Sequence, residues 1–146
     1  MIETYDELNE KFLSSNIDDI FAFYNSFRNR EELIEWMRLR PKNKPTLHRV
    51  SGNNDIVVVI PTADIDSQRV KLCSERIFSG LNQIIVESIK PHDKYFNYSH
   101  NVNIGISEAM RTNPDWIIIS NDDMIPEDTS EKLISEIKFF PQTKPN

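Results

Sequence analysis

The chain has 146 residues, 38% of them hydrophobic and 27% charged, which is typical of one compact soluble domain with room for a small appended subdomain. Its formal net charge is −6 and it contains no long basic run, so we expect no nucleic acid among its partners. A single cysteine, Cys73, excludes an internal disulfide and a zinc site built from cysteines.

The N-terminus lacks the basic start and apolar run of a signal peptide, and no apolar stretch approaches the ~20 residues of a membrane span. We therefore expect a cytoplasmic protein. The densest basic segment, residues 38–44, is interpreted as a solvated helix end and linker. The alternative is a weak contact with phosphate or with an anionic membrane surface, which would make the protein peripheral to the membrane.

The first forty residues predict helices. Apolar side chains recur at helical spacing in three runs, which are Tyr5, Leu8 and Phe12; Ile17, Ile20, Phe21 and Tyr24; and Leu33, Trp36 and Met37. Either Asn16 or Asp18 is suited to cap the second helix. Two prolines close this region, and polar, basic residues follow. The sequence thus predicts a helical segment over 1–40, a linker over 41–54 and a further domain over 55–146.

From residue 55 onward, buried strands alternate with amphipathic helices. Short runs in which every residue is apolar predict strands over residues 56–60, 84–86 and 116–119. Helical spacing predicts helices over residues 66–79, 102–112 and from near 128, and residues 88–100 predict a polar loop with a short strand near 95–98. Such strands are typical of a sheet buried on both faces. The predicted fold class is therefore α/β, with a mostly parallel sheet flanked by helices and preceded by the N-terminal helical segment.

Acidic residues follow each predicted strand, at the edge where parallel sheets bind ligands. They are Asp64 and Asp66, then Glu87, then Asp122 and Asp123. Carboxylates gathered there repel each other, and a divalent cation or hydrogen bonds to a base or ribose would relieve the repulsion. Magnesium and manganese prefer hard oxygen ligands, and one or two carboxylates suffice when a diphosphate supplies the others. The alternative is that each acid belongs to a polar turn.

Four segments together resemble the family-2 glycosyltransferases in order and separation, over about residues 55–139; they read VVVIPT, IIVES, NVNIGISEAM and WIIISNDDM. In that family the first strand ends in Pro-Thr or Pro-Ser under the nucleotide, and an acid after the second strand binds the base. An Asn-x-Gly-x-x-x-Ala motif opens a helix, and an Asp-x-Asp region binds the metal and the diphosphate. The resemblance implies a truncated GT-A fold that holds a nucleoside diphosphate sugar.

On this chain, the resemblance implies a nucleotide-binding set that consists of Pro61, Thr62, Ala63, Glu87, Asn103, Gly105, Asn121 and Asp122. It implies Asp122 and Asp123 as the ligands of Mg²⁺ or Mn²⁺. Ser120 departs from the pattern, because it stands where the family has the first Asp of Asp-x-Asp. This departure would weaken metal binding or shift it to Asp122 and Asp123.

The implied activity is transfer of a sugar from a nucleoside diphosphate sugar to an acceptor that the sequence does not identify. The sequence reveals no acid after Asp128 that suits the catalytic base, since Glu131 and Glu136 are interpreted as solvated helix residues. We therefore expect the acceptor half to come from a homo-oligomer, a partner or a further part of the chain. Two other functions stay open: a non-catalytic module that binds nucleotide or sugar nucleotide, and an interaction protein on a degenerate GT-A fold.

The remaining histidines and tryptophans are interpreted as structural or solvated. Three cationic side chains of the loop, Lys90, His92 and His100, are expected to be solvated, with contact to a phosphate as the alternative. His48 is predicted to be exposed in the linker. Trp36 and Trp116 are predicted to be core residues.

Overall fold

The computed structural model describes residues 3–53, 55–88 and 95–140. The chain divides into two compact units, residues 1–42 and residues 43–146. No helix in the described ranges combines the length and the apolar character that crossing a membrane requires.

The first unit consists of helices, as the sequence predicts. Within its described residues these are α1 (Tyr5–Phe12), α2 (Ile17–Asn25) and α3 (Arg30–Leu39). Each helix begins after a polar residue whose side-chain oxygen accepts a backbone N–H of the first turn; the caps are Thr4, Asn16 and Asn29. Of the two candidates for the second helix, Asn16 is therefore the cap.

An aromatic core holds the three helices together. Its buried members are Leu8, Phe23 and Trp36, so the prediction for Trp36 is confirmed. The guanidinium of Arg40 lies over the rings of Phe12 and Trp36, 5.2 and 5.3 Å from their centroids, where it adds cation–π attraction.

The second unit has the predicted α/β class. Within its described residues, one sheet has the strand order β1-β3-β2-β4, with β1 at Thr46–Val50, β2 at Ile56–Thr62, β3 at Asn82–Glu87 and β4 at Trp116–Ile119. Strand β2 pairs in parallel with both β3 and β4, whereas β1 pairs antiparallel with β3. All seven residues of β2 are buried, which confirms the strand covered on both faces.

The prediction of a linker over residues 41–54 is wrong for residues 46–50, which form β1. This strand escaped the sequence pattern because it lies at an edge of the sheet and is mostly polar. Leu47 packs against the core, and Arg49 instead reaches Glu108 with its Nη2 2.7 Å from Oε1. One half-buried apolar side chain on a short edge strand leaves too little alternation to recognise.

The helices of the second unit occupy the predicted regions with shifted bounds. They are α4 (Gln68–Leu72), continued by a π-helical segment (Cys73–Ile77); α5 (Tyr98–Ala109), continued by a 3₁₀ turn (Met110–Thr112); and α6 (Ser130–Phe139). The prediction of a short strand over 95–98 is wrong, because Asn97 caps α5 and Tyr98 begins it. The last helix begins at Ser130 after its cap Thr129, close to the predicted start near residue 128.

The helices cover both faces of the sheet. On one face, Val58 and Ile60 pack with Val70 and Cys73 and with the apolar side of α6. The half-buried ring of Trp116 packs against the same cluster, as predicted. On the other face, Val57, Val59, Ile84 and Val86 pack with Ala109 and Ile106 of α5. This layering places the carboxyl ends of β2, β3 and β4 at one edge of the sheet.

Gly105 allows α5 to approach the sheet closely. A Cβ at this position would lie 2.3 Å from Cγ1 of Val59 and 2.9 Å from Cγ2 of Val86, which are both overlaps. Val59 lies at the middle of β2, so Gly105 sits over the centre of the sheet and not at its carboxyl edge.

Candidate functional site

The ends of β2 and β4 meet at the carboxyl edge of the sheet. The ladder between them ends at Val59 and Ile119, and the N–H of Ser120 then donates to the carbonyl oxygen of Val59 at 3.0 Å. The chain after β4 therefore runs on beside the last residues of β2. As a result the hydroxyl of Thr62 donates to Oδ2 of Asp122 at 2.7 Å.

Thr62 organises the turn that follows β2. Its Oγ1 accepts the N–H of Asp64 at 3.2 Å, and Oδ1 of Asp64 in turn accepts the N–H of Asp66 at 2.9 Å. Pro61 and Thr62 are buried in the sheet, while Ala63 is half-buried. Thr62 thus fixes both the turn and one carboxylate of the predicted metal pair.

The two predicted metal ligands differ in their exposure to solvent. Asp122 is half-buried and Asp123 is exposed. In the described part of the chain, no group of three or more His, Cys, Asp or Glu side chains is arranged to hold a metal ion. Two carboxylates offer hard oxygen ligands, but a bound ligand and water would have to complete the coordination of a Mg²⁺ or Mn²⁺ ion.

A shallow depression of about 340 Å³ adjoins Asp123. Its lining consists of Arg69, Leu72, Asp123, Met124 and Ile125. Arg69 belongs to α4, so a positive charge and a negative charge border the same depression. Arg69 could not be singled out from the sequence, because one arginine on the exposed side of a helix forms no recognisable pattern.

The predicted base-binding acid, Glu87, already has a partner at each carboxylate oxygen. Oε1 accepts the N–H of Ile65 at 2.9 Å, and Oε2 is hydrogen-bonded to Nε2 of His48 at 2.8 Å. The Glu87 side chain is only 8% exposed. Glu87 therefore ties β1 and the turn after β2 to the end of β3, and its role toward a base stays a prediction.

The prediction that His48 is exposed in a linker is wrong. It lies on β1 and is half-buried; its direct partner on β3 is Ile85, and Glu87 lies diagonally across the antiparallel pair. The missed strand caused this error, because only strand pairing brings His48 beside Glu87.

Three polar side chains form a buried cluster behind the edge. Nδ2 of Asn43 donates to Oγ of Ser88 and to Oδ1 of Asn101, both at 2.7 Å, and Nδ2 of Asn101 donates to the same Oγ at 2.6 Å. Oδ1 of Asn43 also accepts the N–H of Asn97, the cap of α5. The cluster joins the residues before β1, the end of β3 and the start of α5, and it positions α5 against the edge.

We expect Asn101→Ala to destabilise the protein by about 2–3 kcal/mol, since Asn101 is fully buried and the substitution removes its hydrogen bonds with Asn43 and Ser88. Asn103→Ala is the matched control, because Asn103 is exposed on the same helix and should change stability by about 0.5 kcal/mol or less. Urea unfolding measures both. Equal effects of the two substitutions would contradict this role for the cluster.

The structure does not bring the Asn-x-Gly-x-x-x-Ala motif to the edge. The prediction that this motif opens a helix is wrong, since α5 begins five residues before Asn103, at Tyr98. Asn103 is exposed along the helix, and Gly105 packs against the middle of β2. The residue that the start of α5 does bring to the edge is Tyr98, whose hydroxyl donates to Oδ1 of Asn121 at 3.2 Å.

Cys73 lies under the loop that carries the two acids. Its Sγ lies 3.8 Å from the carbonyl oxygen of Asn121 and 3.7 Å from that of Met124. Burial raises the pKa of the Cys73 thiol, and the charges of Asp122 and Asp123 raise it further. The side chain therefore stays a neutral thiol at neutral pH and serves as a core residue, as expected.

Among the cationic side chains predicted for the loop after β3, His100 makes a contact that the structure describes. Lys90 and His92 lie outside the described residues. His100 is half-buried, with Nε2 3.1 Å from the carbonyl oxygen of Asn43, so it supports the buried cluster.

Comparison of the chain with family models, with curated proteins and with solved structures found no match.

Proposed function

We propose that residues 55–139 form the donor-binding part of a GT-A-type, family-2-like glycosyltransferase. The ligand is a nucleoside diphosphate sugar, held at the carboxyl edge of β2, β3 and β4 with the help of Mg²⁺ or Mn²⁺. The observation that carries the proposal is the hydrogen bond from Thr62 to Asp122, because it joins two of the four motif segments at one point.

The strand order supports the proposal. Parallel α/β sheets bind ligands beyond the carboxyl ends of their strands, and β2 is the central strand between β3 and β4. The segment after β2 and the segment after β4 are therefore neighbours, and both carry acids. Strand β4 is followed by Asn121, Asp122 and Asp123, and strand β2 is followed by Asp64.

The charges at the edge suit an anionic ligand that shares a cation. Asp122 and Asp123 alone would repel a diphosphate, so this function requires a divalent ion between them and the ligand. The residues fit such an ion, because Asp122 is oriented by Thr62 while Asp123 is exposed. Arg69 borders the same depression as Asp123 and supplies a positive charge for a phosphate oxygen.

A bound divalent ion would stabilise the negative charge that develops on the leaving diphosphate. The residues of this chain bind and orient the donor. Thr62 holds Asp122 by a hydrogen bond, and the hydrogen-bonded turn from Thr62 to Asp66 lies beside it. No described residue is assigned as the base that deprotonates the acceptor, so the acceptor half is expected from a second copy, a partner or a further part of the chain.

A non-catalytic nucleotide-binding module is the second candidate, and two observations favour it. Ser120 takes the place of the first metal-binding acid and is buried, with Oγ 2.8 Å from the carbonyl oxygen of Asn121. Glu87 has both carboxylate oxygens in hydrogen bonds within the protein. A domain with this site could retain affinity for a nucleotide without the groups for transfer.

Thermal unfolding with UDP, GDP and dTDP and with their sugar conjugates, each with and without Mn²⁺, tests the proposal. A ligand at 100 times its Kd stabilises the native state by about 2.7 kcal/mol, which corresponds to a rise in Tm of roughly 5–10 °C. We expect such a rise for one base and only with the metal. Donor hydrolysis or transfer would then favour the enzyme, and binding without turnover would favour the module. No rise with any ligand would contradict both and favour an interaction protein.

A further inference from the structure

Tyr98 brings an aromatic side chain to the carboxyl edge of the sheet. It is the first residue of α5, and its hydroxyl donates to Oδ1 of Asn121 at 3.2 Å. Asn121 directly precedes Asp122, the predicted metal ligand to which Thr62 donates a hydrogen bond. Tyr98 is nevertheless 45% exposed, so its ring retains surface that a ligand can cover. An aromatic ring therefore lies beside the proposed diphosphate site.

The backbone and the hydroxyl of Tyr98 are both held in place. Asn97 caps α5 by accepting the N–H of His100 at 3.0 Å, and its own N–H donates to Oδ1 of Asn43 at 3.2 Å. Asn43 belongs to the buried polar cluster, so the start of α5 is tied to the interior. The bond to Asn121 restrains the other end of the side chain. A side chain that is already ordered loses little conformational entropy when a ligand binds, which favours affinity.

Glu87, the acid that the resemblance implies for the base, offers little surface to a ligand. Its side chain is 8% exposed, and each carboxylate oxygen is already in a hydrogen bond within the protein. A nucleobase presents a flat aromatic face whichever base it is, and aromatic side chains bind such faces by stacking. A tyrosine at this edge can therefore hold the base without the acid.

We propose that Tyr98 is the platform on which the base of the nucleoside diphosphate stacks. This role rests on the function proposed above, and it adds a binding residue that lies outside all four motif segments. The hydrogen bond from the hydroxyl also fixes the amide of Asn121, whose Nδ2 group is a donor suited to a phosphate or ribose oxygen. Because stacking tolerates any base, Tyr98 contributes affinity without selecting one base over another.

Two substitutions separate the ring of Tyr98 from its hydroxyl. Tyr98→Ala removes both, whereas Tyr98→Phe keeps the ring and removes only the hydrogen bond to Asn121. Titration calorimetry with UDP, GDP and dTDP, each with Mn²⁺ and below the Tm of every variant, measures the affinities. For the diphosphate that binds the wild type most tightly, we expect Tyr98→Ala to weaken binding roughly 5–150-fold, the range for loss of one stacked base. Tyr98→Phe should retain most of the affinity.

Tyr5→Ala is the matched control, because Tyr5 is also the first residue of a helix, α1, and is 42% exposed. This variant should bind the diphosphate as the wild type does. Wild-type affinity in Tyr98→Ala, or equal losses in Tyr98→Ala and Tyr98→Phe, would overturn the role of the ring and leave the proposed function intact.

The sugar conjugate of the same diphosphate separates the base from the sugar as the stacking partner. We expect the loss in Tyr98→Ala to be equal for the diphosphate and for its conjugate. A loss for the conjugate alone would assign the ring to the sugar and overturn the stacking of the base. If none of the three diphosphates or their conjugates bound the wild type, the proposed function and the role of Tyr98 would both be overturned.

Discussion

Asp122→Asn is expected to weaken metal-dependent binding of the nucleoside diphosphate by at least about 10-fold. A charged ligand or hydrogen bond contributes about 1.5–3 kcal/mol, which corresponds to roughly 10–150-fold in affinity. The substitution removes the charge but keeps an oxygen that can accept the hydrogen bond from the Thr62 hydroxyl. The Tm of the ligand-free protein should therefore change by less than about 2 °C, so a loss of binding would reflect the site and not the fold. Titration calorimetry with the nucleotide that raises Tm most, with and without Mn²⁺, measures the effect.

Asp115→Asn is the matched control for this substitution. Asp115 is an exposed aspartate that directly precedes β4, whereas Asp122 follows it, so the two lie at opposite ends of one strand. We expect Asp115→Asn to bind the nucleotide as the wild type does. Asp123→Asn should show a smaller loss than Asp122→Asn, because Asp123 is exposed and the described residues provide it with no orienting partner comparable with Thr62. Wild-type affinity in Asp122→Asn would remove Asp122 from the site.

The sequence was a reliable guide to the fold where apolar, β-branched residues stand next to each other. The runs at Ile56–Thr62 and Trp116–Ile119 could be recognised because such consecutive residues leave few alternatives to a strand. The edge strand Thr46–Val50 could not be recognised, because its pairing partner lies more than thirty residues away along the chain and its own side chains are mostly polar. A strand of this kind is defined by its neighbour and not by its own pattern.

The residues of the candidate site likewise fall into those that the sequence could predict and those that it could not. The position of Thr62 and Asp122 at one edge follows from the rule on strand ends, and the structure brings their side chains to 2.7 Å. The partners of Glu87 could not be foreseen, because one is a histidine on the unrecognised strand and the other is a backbone N–H in a turn. Tyr98 and Arg69 were missed because each comes from a helix whose orientation depends on packing that one sequence does not specify.

Gly105→Ala is expected to destabilise the second unit by about 2 kcal/mol. In an exposed helix the same change would stabilise by about 1 kcal/mol, because alanine has the higher helix propensity. Here the new Cβ would lie 2.3 Å from Cγ1 of Val59, which is itself fully buried in the centre of the sheet. Overpacking of this kind costs about 1–3 kcal/mol or more, so it outweighs the gain in propensity. Urea unfolding of the variant and the wild type measures the difference.

A double-mutant cycle with Val59→Ala separates close packing from a role in binding. Val59→Ala alone should cost about 1.5–3 kcal/mol, because it removes two buried methyl groups. In Gly105→Ala/Val59→Ala, the added methyl group occupies part of the space that Val59 leaves, so the combined loss should fall short of the sum of the two single losses by about 1 kcal/mol. Strict additivity, or a stabilising Gly105→Ala, would contradict the close approach of α5 to β2. Because Gly105 lies over the middle of β2, nucleotide affinity should change much less than it does in Asp122→Asn, provided that it is measured below the Tm of each variant.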